Sequence, residues 1–296
     1  MRGLHSLAER MEISDPAKLF GMPAPRAAQL QPGLGTPYLD SGAGELLLLV
    51  HGSLCDFRYW KPQLARFSTH YRCIAPSLTH YWPSAQPVEP DSFSWNRHVD
   101  EMALLIAHLD AGPAHVVGHS RGGCVAFHLA TRYPDLVRTL TLADPGGPLQ
   151  QGDATVAQLP ETMNALRAKA AGLITAGDID TGLELFVDSV SRPGFWKKST
   201  HEFRMMATDN AHTLALQFRD PLPAYSAQSA ASVRCPTLLI DGEKSPRMFR
   251  KNTEMLESWI ADARRETVAG ASHGMNVAHP SAFNRYVLGF VQATSA

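Results

Sequence analysis

The chain has 296 residues, with 27 Lys and Arg against 28 Asp and Glu, a net charge of −1 and 44% hydrophobic residues. That length can bury one large α/β core and a small subdomain, while the near-zero charge, with no Lys/Arg run and no basic amphipathic segment, argues against nucleic-acid or membrane-surface partners. The first forty residues hold no apolar run of leader length and are broken by Pro16, Pro23, Pro25 and Pro32, so neither a leader nor a membrane span is expected and the expected location is cytoplasmic.

In chain order, residues 1–36 show no clear periodicity and read as an N-terminal extension that wraps the surface. Leu46-Leu47-Leu48-Leu49-Val50 is a continuously apolar run, the pattern of a strand buried on both faces, and it ends abruptly in His51-Gly52-Ser53-Leu54. An aromatic loop, Cys55-Asp56-Phe57-Arg58-Tyr59-Trp60, follows it. A second strand over 71–76 leads to a loop carrying Tyr81 and Trp82. Val99, Met102, Ile106 and Leu109 recur at helical spacing, and a third strand, 115–117, runs straight into Gly118-His119-Ser120-Arg121-Gly122 and a helix patterned by Val125 and Leu129. A strand over 139–144 ends in Asp144. The alternation then stops, and helix follows helix, punctuated by Pro160, Pro193 and Pro221, until strands at 237–240 and 265–268. Alternation of this kind favours a mostly parallel central sheet with helices on both faces.

Ser120 carries the first chemical inference. A serine on a sharp strand-to-helix turn is held in a strained conformation that lifts its hydroxyl out of the sheet, and flanking glycines remove side chains that would clash there. The His51-Gly52-Ser53-Leu54 ending suits an oxyanion loop. Its donors would be the backbone N–H of Ser53, with Leu54 as second choice, and that of Arg121 at the start of the next helix. Ala269-Gly270-Ala271-Ser272-His273-Gly274 places His273 on a Gly-flanked loop ahead of an amphipathic helix, where it is the natural general base.

With the Gly-x-Ser-x-Gly turn, the His-Gly loop and the late histidine in this order, the sequence over roughly 37 to 294 resembles the α/β-hydrolases. The resemblance implies Ser120 as nucleophile and His273 as base. The acid departs from the commonest pattern, since the usual Gly-x-x-Asp reads Gly242-Glu243-Lys244-Ser245 and Ser245 carries no charge. Some members use the end of the preceding core strand, which makes Asp144 the first candidate, ahead of Asp241 and then Glu243; a turn cap before Pro145-Gly146-Gly147 is the competing reading of Asp144. The resemblance further implies a core of 37–145 and 223–296 and a helical cap of 146–222 over the site.

The expected activity is hydrolysis of a carboxylic ester or lactone of an apolar or aromatic small molecule, with substrate contacts from His51, His119, Trp82 and Trp196. The Arg121 side chain has two readings, one holding a substrate carboxylate and one pairing with a structural acid. Alternatives on the same fold are a C–C bond hydrolase and a cofactor-free dioxygenase or peroxidase, and outside catalysis a slow or non-catalytic ligand sensor. The four cysteines, at 55, 73, 124 and 235, show no paired spacing and read as reduced packing residues. No Cys/His cluster, G-x-G-x-x-G or P-loop is present, so no metal and no nucleotide cofactor is expected; a homodimer is left open.

Overall fold

A computed structural model describes residues 21–31, 33–84, 92–150 and 159–295. Most of the expected N-terminal extension, including Pro16 and Pro32, and residues 151–158 of the expected cap lie outside them. Eight strands form one sheet: β1 (Arg26–Gln31), β2 (Leu34–Ser41), β3 (Leu46–Val50), β4 (Arg72–Pro76), β5 (Ala114–His119), β6 (Val137–Ala143), β7 (Thr237–Gly242) and β8 (Ala263–Val268). Their spatial order is β1-β2-β4-β3-β5-β6-β7-β8. From β4 through β8 every pairing is parallel, while β1 and β2 add an antiparallel edge.

The six strands β3 to β8 fall where the sequence places them. The edge pair β1 and β2 does not, because Arg26–Gln31 turns mostly exposed side chains outward and leaves only Ala28 fully buried. An edge of that kind has no apolar alternation to read. At the other extreme all five residues of β3 are buried, each side chain contributing about 1.5–3 kcal/mol relative to exposure.

Helices cover both faces. On one, α2 (Trp95–Leu109) and α3 (Arg121–Arg132) pack Val99, Met102, Ile106, Val125 and Leu129 against the sheet. On the other, α1 (Lys61–Phe67) and α12 (Pro280–Ser295) bury Phe67, Phe283 and Val287. Between β6 and β7 come α4 (Glu161–Thr175), α5 (Ile179–Val190), α6 (Phe195–Lys198), α7 (His201–Asp209), α8 (Thr213–Arg219) and α9 (Ala227–Ala231). This inserted layer has an apolar cluster of its own, with Ile174, Leu183, Phe186, Trp196 and Leu214, into which the core contributes Leu54. After β7, α10 (Arg247–Trp259) returns the chain to β8, and α11 (Met275–Ala278) precedes α12.

Register decides what meets at the sheet's rim. Val50 pairs with Gly118, His119 with Ala143, and Ala143 with Ile240, so the loops after β3, β5, β6 and β7 all emerge at one edge. In an open α/β sheet that C-terminal edge is where ligands bind. No helix among the described residues is long and apolar enough to cross a membrane.

Candidate active site

Ser120 sits between β5 and α3 at φ 54°, ψ −120°, a left-handed conformation that a non-glycine residue holds only when its surroundings impose it. They do so by close approach. A Cβ on Gly118 would lie 2.4 Å from the Gly122 carbonyl oxygen, and one on Gly122 would lie 2.3 Å from the carbonyl oxygens of both Val50 and His51. The elbow is therefore wedged against the end of β3. Ser120 N–H is anchored on Ala143 O at 3.0 Å, while Gly123 and Gly146 N–H both donate to Ser120 O. Among the described residues no backbone carbonyl takes up the N–H of Ser53, Leu54 or Arg121, so the donors expected for an oxyanion are uncommitted.

His273 lies on the loop after β8, its ring stacked on Phe249 at 4.0 Å and flanked by His119 at 4.6 Å. His119 Nε2 donates to the His273 carbonyl at 2.8 Å, which ties the β5 end to the histidine loop. His273 Nδ1 meets Asp144 Oδ2 at 3.0 Å, and the Ser245 hydroxyl donates to that same oxygen at 2.6 Å. Ser245, the residue standing where the usual acid is missing, thus becomes a hydrogen-bond donor to the acid from the neighbouring strand. Asp144 itself adopts φ 42°. Burial is the main influence on both ionisable partners, raising the Asp144 carboxyl to about 8, against the hydrogen bond from Ser245, and lowering the His273 imidazole to about 3, with the Arg167 charge adding to that fall.

The competing acids are occupied elsewhere. Asp241 accepts from Thr253 at 2.8 Å, from Thr267 at 2.7 Å and from the Arg265 guanidinium, and Glu243 accepts from Gly270 N–H at 2.7 Å. The Arg121 side chain pairs with Asp220 at 2.9 Å and lies over Phe93, in keeping with the structural-acid reading of its two roles.

Two cavities open at the elbow. The larger, about 650 Å³, is lined by Ser53, Ser120, Arg121, Asn164, Arg167 and Gln217 among others. The smaller, about 260 Å³, holds Ser120 and His273 together, with Leu54, His119 and the apolar wall of Val187, Phe195 and Phe203. Of the four expected substrate contacts, His119 alone borders either cavity. His51 is a strut: its Nδ1–H donates to Gly52 O at 2.9 Å, its Nε2 accepts from Leu78 N–H at 3.1 Å, and burial lowers its pKa to about 4. Trp196 is buried inside the inserted layer, donating to Asp180 at 2.9 Å. Trp82 stacks over the Arg58 guanidinium at 3.9 Å.

That last contact belongs to a cluster invisible in the one-dimensional pattern. Buried Asp56 is chelated by Arg58 through two bonds of 2.9 and 2.6 Å and accepts from Asn210 at 2.8 Å; Arg58 also reaches Asp209 at 2.9 Å, and Asn210 accepts from Trp82 N–H at 2.7 Å. Together with Ser53 Oγ donating to Gln217 at 2.6 Å, these bonds fasten the inserted helices to the loop after β3. The only sign of this in sequence is an Asp-x-Arg pair inside an otherwise aromatic loop.

Among the described residues no group of three His, Cys, Asp or Glu side chains is placed to hold a metal ion. A family model described as the alpha/beta hydrolase fold matches residues 45–280. The chain belongs to this family. Among the relatives of this hydrolase, 2-hydroxymuconate semialdehyde hydrolase of Pseudomonas sp. (strain CF600) is 27% identical over 280 residues, covering 89% of this chain and 93% of the relative. Bifunctional epoxide hydrolase 2 of Sus scrofa is 21% identical, covering 89% of this chain and 54% of the pig protein, so the chain spans about half of that relative's length. In three dimensions it is similar to a thermophilic esterase from Thermogutta terrifontis, with a TM-score of 0.72 at 21% identity, covering 88% of this chain and 94% of the esterase.

Proposed function

We propose that this hydrolase cleaves a carboxylic ester or lactone of a small molecule by acyl transfer through Ser120. The observation that carries the reading is the shared cavity of a strained Ser120 and a His273 whose Nδ1 is held 3.0 Å from buried Asp144. Ser120 Oγ attacks the carbonyl carbon while His273 Nε2 takes the hydroxyl proton, and the C=O electron pair moves onto oxygen, facing the N–H groups of Ser53 and Arg121. Collapse of the tetrahedral species breaks the C–O bond, and His273 returns the proton to the leaving alcohol. A water then repeats the sequence, releasing the acid and restoring Ser120. The active form is the one in which Asp144 is ionised, orienting the imidazole with its proton on Nδ1 and stabilising the imidazolium without itself taking the proton.

In this reading the inserted helices are a cap, and the apolar wall of the smaller cavity takes an apolar or aromatic group. Ser120 at the elbow argues against the aspartyl nucleophile of epoxide hydrolysis. The similarity to 2-hydroxymuconate semialdehyde hydrolase favours a second reading, in which the same residues cleave a carbon–carbon bond next to a carbonyl. A p-nitrophenyl ester panel with a fluorophosphonate probe tests the first. Turnover with labelling that disappears in Ser120→Ala supports ester hydrolysis; labelling without ester turnover directs the search to C–C substrates; a folded protein that does neither refutes the acyl-enzyme mechanism.

A further inference from the structure

Every arginine that the core contributes to the site elements has a carboxylate partner. Arg58 holds Asp56 and Asp209, and Arg121 holds Asp220. Arg167 does not. It projects from α4 into the space above the elbow, where it lines both cavities together with Ser53, Ser120 and Phe186. Its guanidinium stands over the Phe186 ring at 5.7 Å, and no carboxylate among the described residues forms an ion pair or hydrogen bond with it. Burial, reinforced by the like charge of Arg121, lowers its pKa to about 10, which still leaves it protonated at neutral pH.

A half-buried guanidinium with five N–H donors and no acceptor is a costly arrangement unless something else completes it. A structural arginine would be expected to carry its acid, as its two neighbours do. We propose that Arg167 is an anion-binding residue of the substrate pocket, and that the natural substrate bears a carboxylate within reach of it as well as the scissile carbonyl. This rests on the acyl-transfer reading of Ser120 and narrows it from apolar esters in general to carboxylate-bearing ones. The planar fork of a single arginine matches a carboxylate through two parallel bonds, and Asn164 and Gln217 in the larger cavity add neutral polar groups beside it. The smaller cavity keeps its apolar wall for the remainder of the molecule. The substrate is then amphipathic, with its charged end at Arg167 and its carbonyl at Ser120.

The test compares mono-p-nitrophenyl glutarate, which carries a free carboxylate, with neutral p-nitrophenyl pentanoate, using wild type, Arg167→Gln and Arg167→Lys. Wild type is expected to favour the anionic ester at least tenfold in kcat/KM. Arg167→Gln should lower the anionic-to-neutral ratio about 30-fold or more, chiefly through the KM of the anionic ester, with Arg167→Lys between. Wild-type preference for the neutral ester, or an equal loss on both esters in Arg167→Gln, overturns the proposal. Should wild type hydrolyse neither ester and leave the fluorophosphonate probe unreacted, the acyl-transfer reading fails by itself. The anion site is then judged by calorimetric titration with glutarate: binding weakened at least tenfold in Arg167→Gln supports it, and no binding to wild type overturns it. Circular dichroism of both variants shows that they are folded.

Discussion

Replacing Asp144 by Asn removes the negative charge that the active, ionised form carries and leaves nearly the same shape. The carboxylate lies 3.0 Å from His273 Nδ1, so the centres of charge of carboxylate and imidazolium are about 4 Å apart; at an effective dielectric constant near 20 the attraction is about 4 kcal/mol. One decade of rate corresponds to about 1.4 kcal/mol, giving a loss of about 10³-fold in kcat. A tautomer effect adds to it. If the Asn amide nitrogen faces the ring, Nδ1 must accept, the proton moves to Nε2, and that nitrogen can no longer take the Ser120 proton; the corresponding substitution in serine proteases costs about 10⁴-fold. Folding is expected to survive, because Asp144 is fully buried and a neutral amide carries a smaller desolvation cost there. The assay is steady-state kcat on whichever p-nitrophenyl ester wild type turns over best, with thermal unfolding of the same preparation. Asp241→Asn is the control, expected to lower Tm through its bonds to Arg265, Thr253 and Thr267 while changing kcat little. A folded Asp144→Asn that keeps more than a tenth of wild-type kcat, alongside a folded but inactive Asp241→Asn, would refute the assignment.

Ser245→Ala deletes the 2.6 Å hydrogen bond to Asp144 Oδ2, and a bond to a charged group contributes about 1.5–3 kcal/mol, so kcat at pH 7 should fall about 10- to 100-fold and recover in part at pH 9; a flat ratio across pH assigns Ser245 to packing alone. The Asp144–His273 dyad also gives wild type a pH signature. Burial raises the Asp144 pKa to about 8 and lowers that of His273 to about 3. The folded state therefore holds the Asp144 proton up to pH 8, whereas the unfolded chain releases it near pH 4, so this group's contribution to stability falls as pH rises through that window. His273 acts in the opposite sense between about 3 and 6.5, leaving Asp144 unopposed from 6.5 to 8, where the net loss is at most about 2 kcal/mol. Urea unfolding of wild type and Asp144→Asn at pH 6.5 and 8 measures it: the stability difference should narrow in the mutant, while wild-type kcat/KM rises across the same interval. Arg58→Met leaves Asp56 buried without its cation and should cost about 3–5 kcal/mol, read as a lower urea midpoint with loss of activity; an unfolding free energy within about 0.5 kcal/mol of wild type would mean that Asn210 and the backbone N–H of residue 58 together satisfy Asp56.

Much of this arrangement is local and therefore legible before any tertiary contact is known. The all-apolar Leu46–Val50 run reads as a doubly buried strand, the glycines around Ser120 mark a turn that tolerates no Cβ, and alternating periodicity implies parallel pairing. The antiparallel edge of β1 and β2 escaped because half-exposed strands carry no alternation. Trp82 and Trp196 are expected at the substrate because they lie on a rim loop and in the inserted helices; instead one stacks on Arg58 and the other is enclosed by its own helices.

By itself, then, the sequence determined the fold family, the Gly118–Gly122 turn around Ser120 and the loop of His273, because each is written in contiguous residues whose backbone demands are local. It ranked Asp144 ahead of Asp241 and Glu243 on the family pattern, but could not show which carboxylate lies beside His273. Which donors surround each carboxylate is set only by the tertiary structure: Arg265 and two threonines from β8 and α10 occupy Asp241, while Ser245 and His273 converge on Asp144. The same holds for Arg167, which no carboxylate among the described residues pairs with, since surroundings are assembled from residues far apart in the chain.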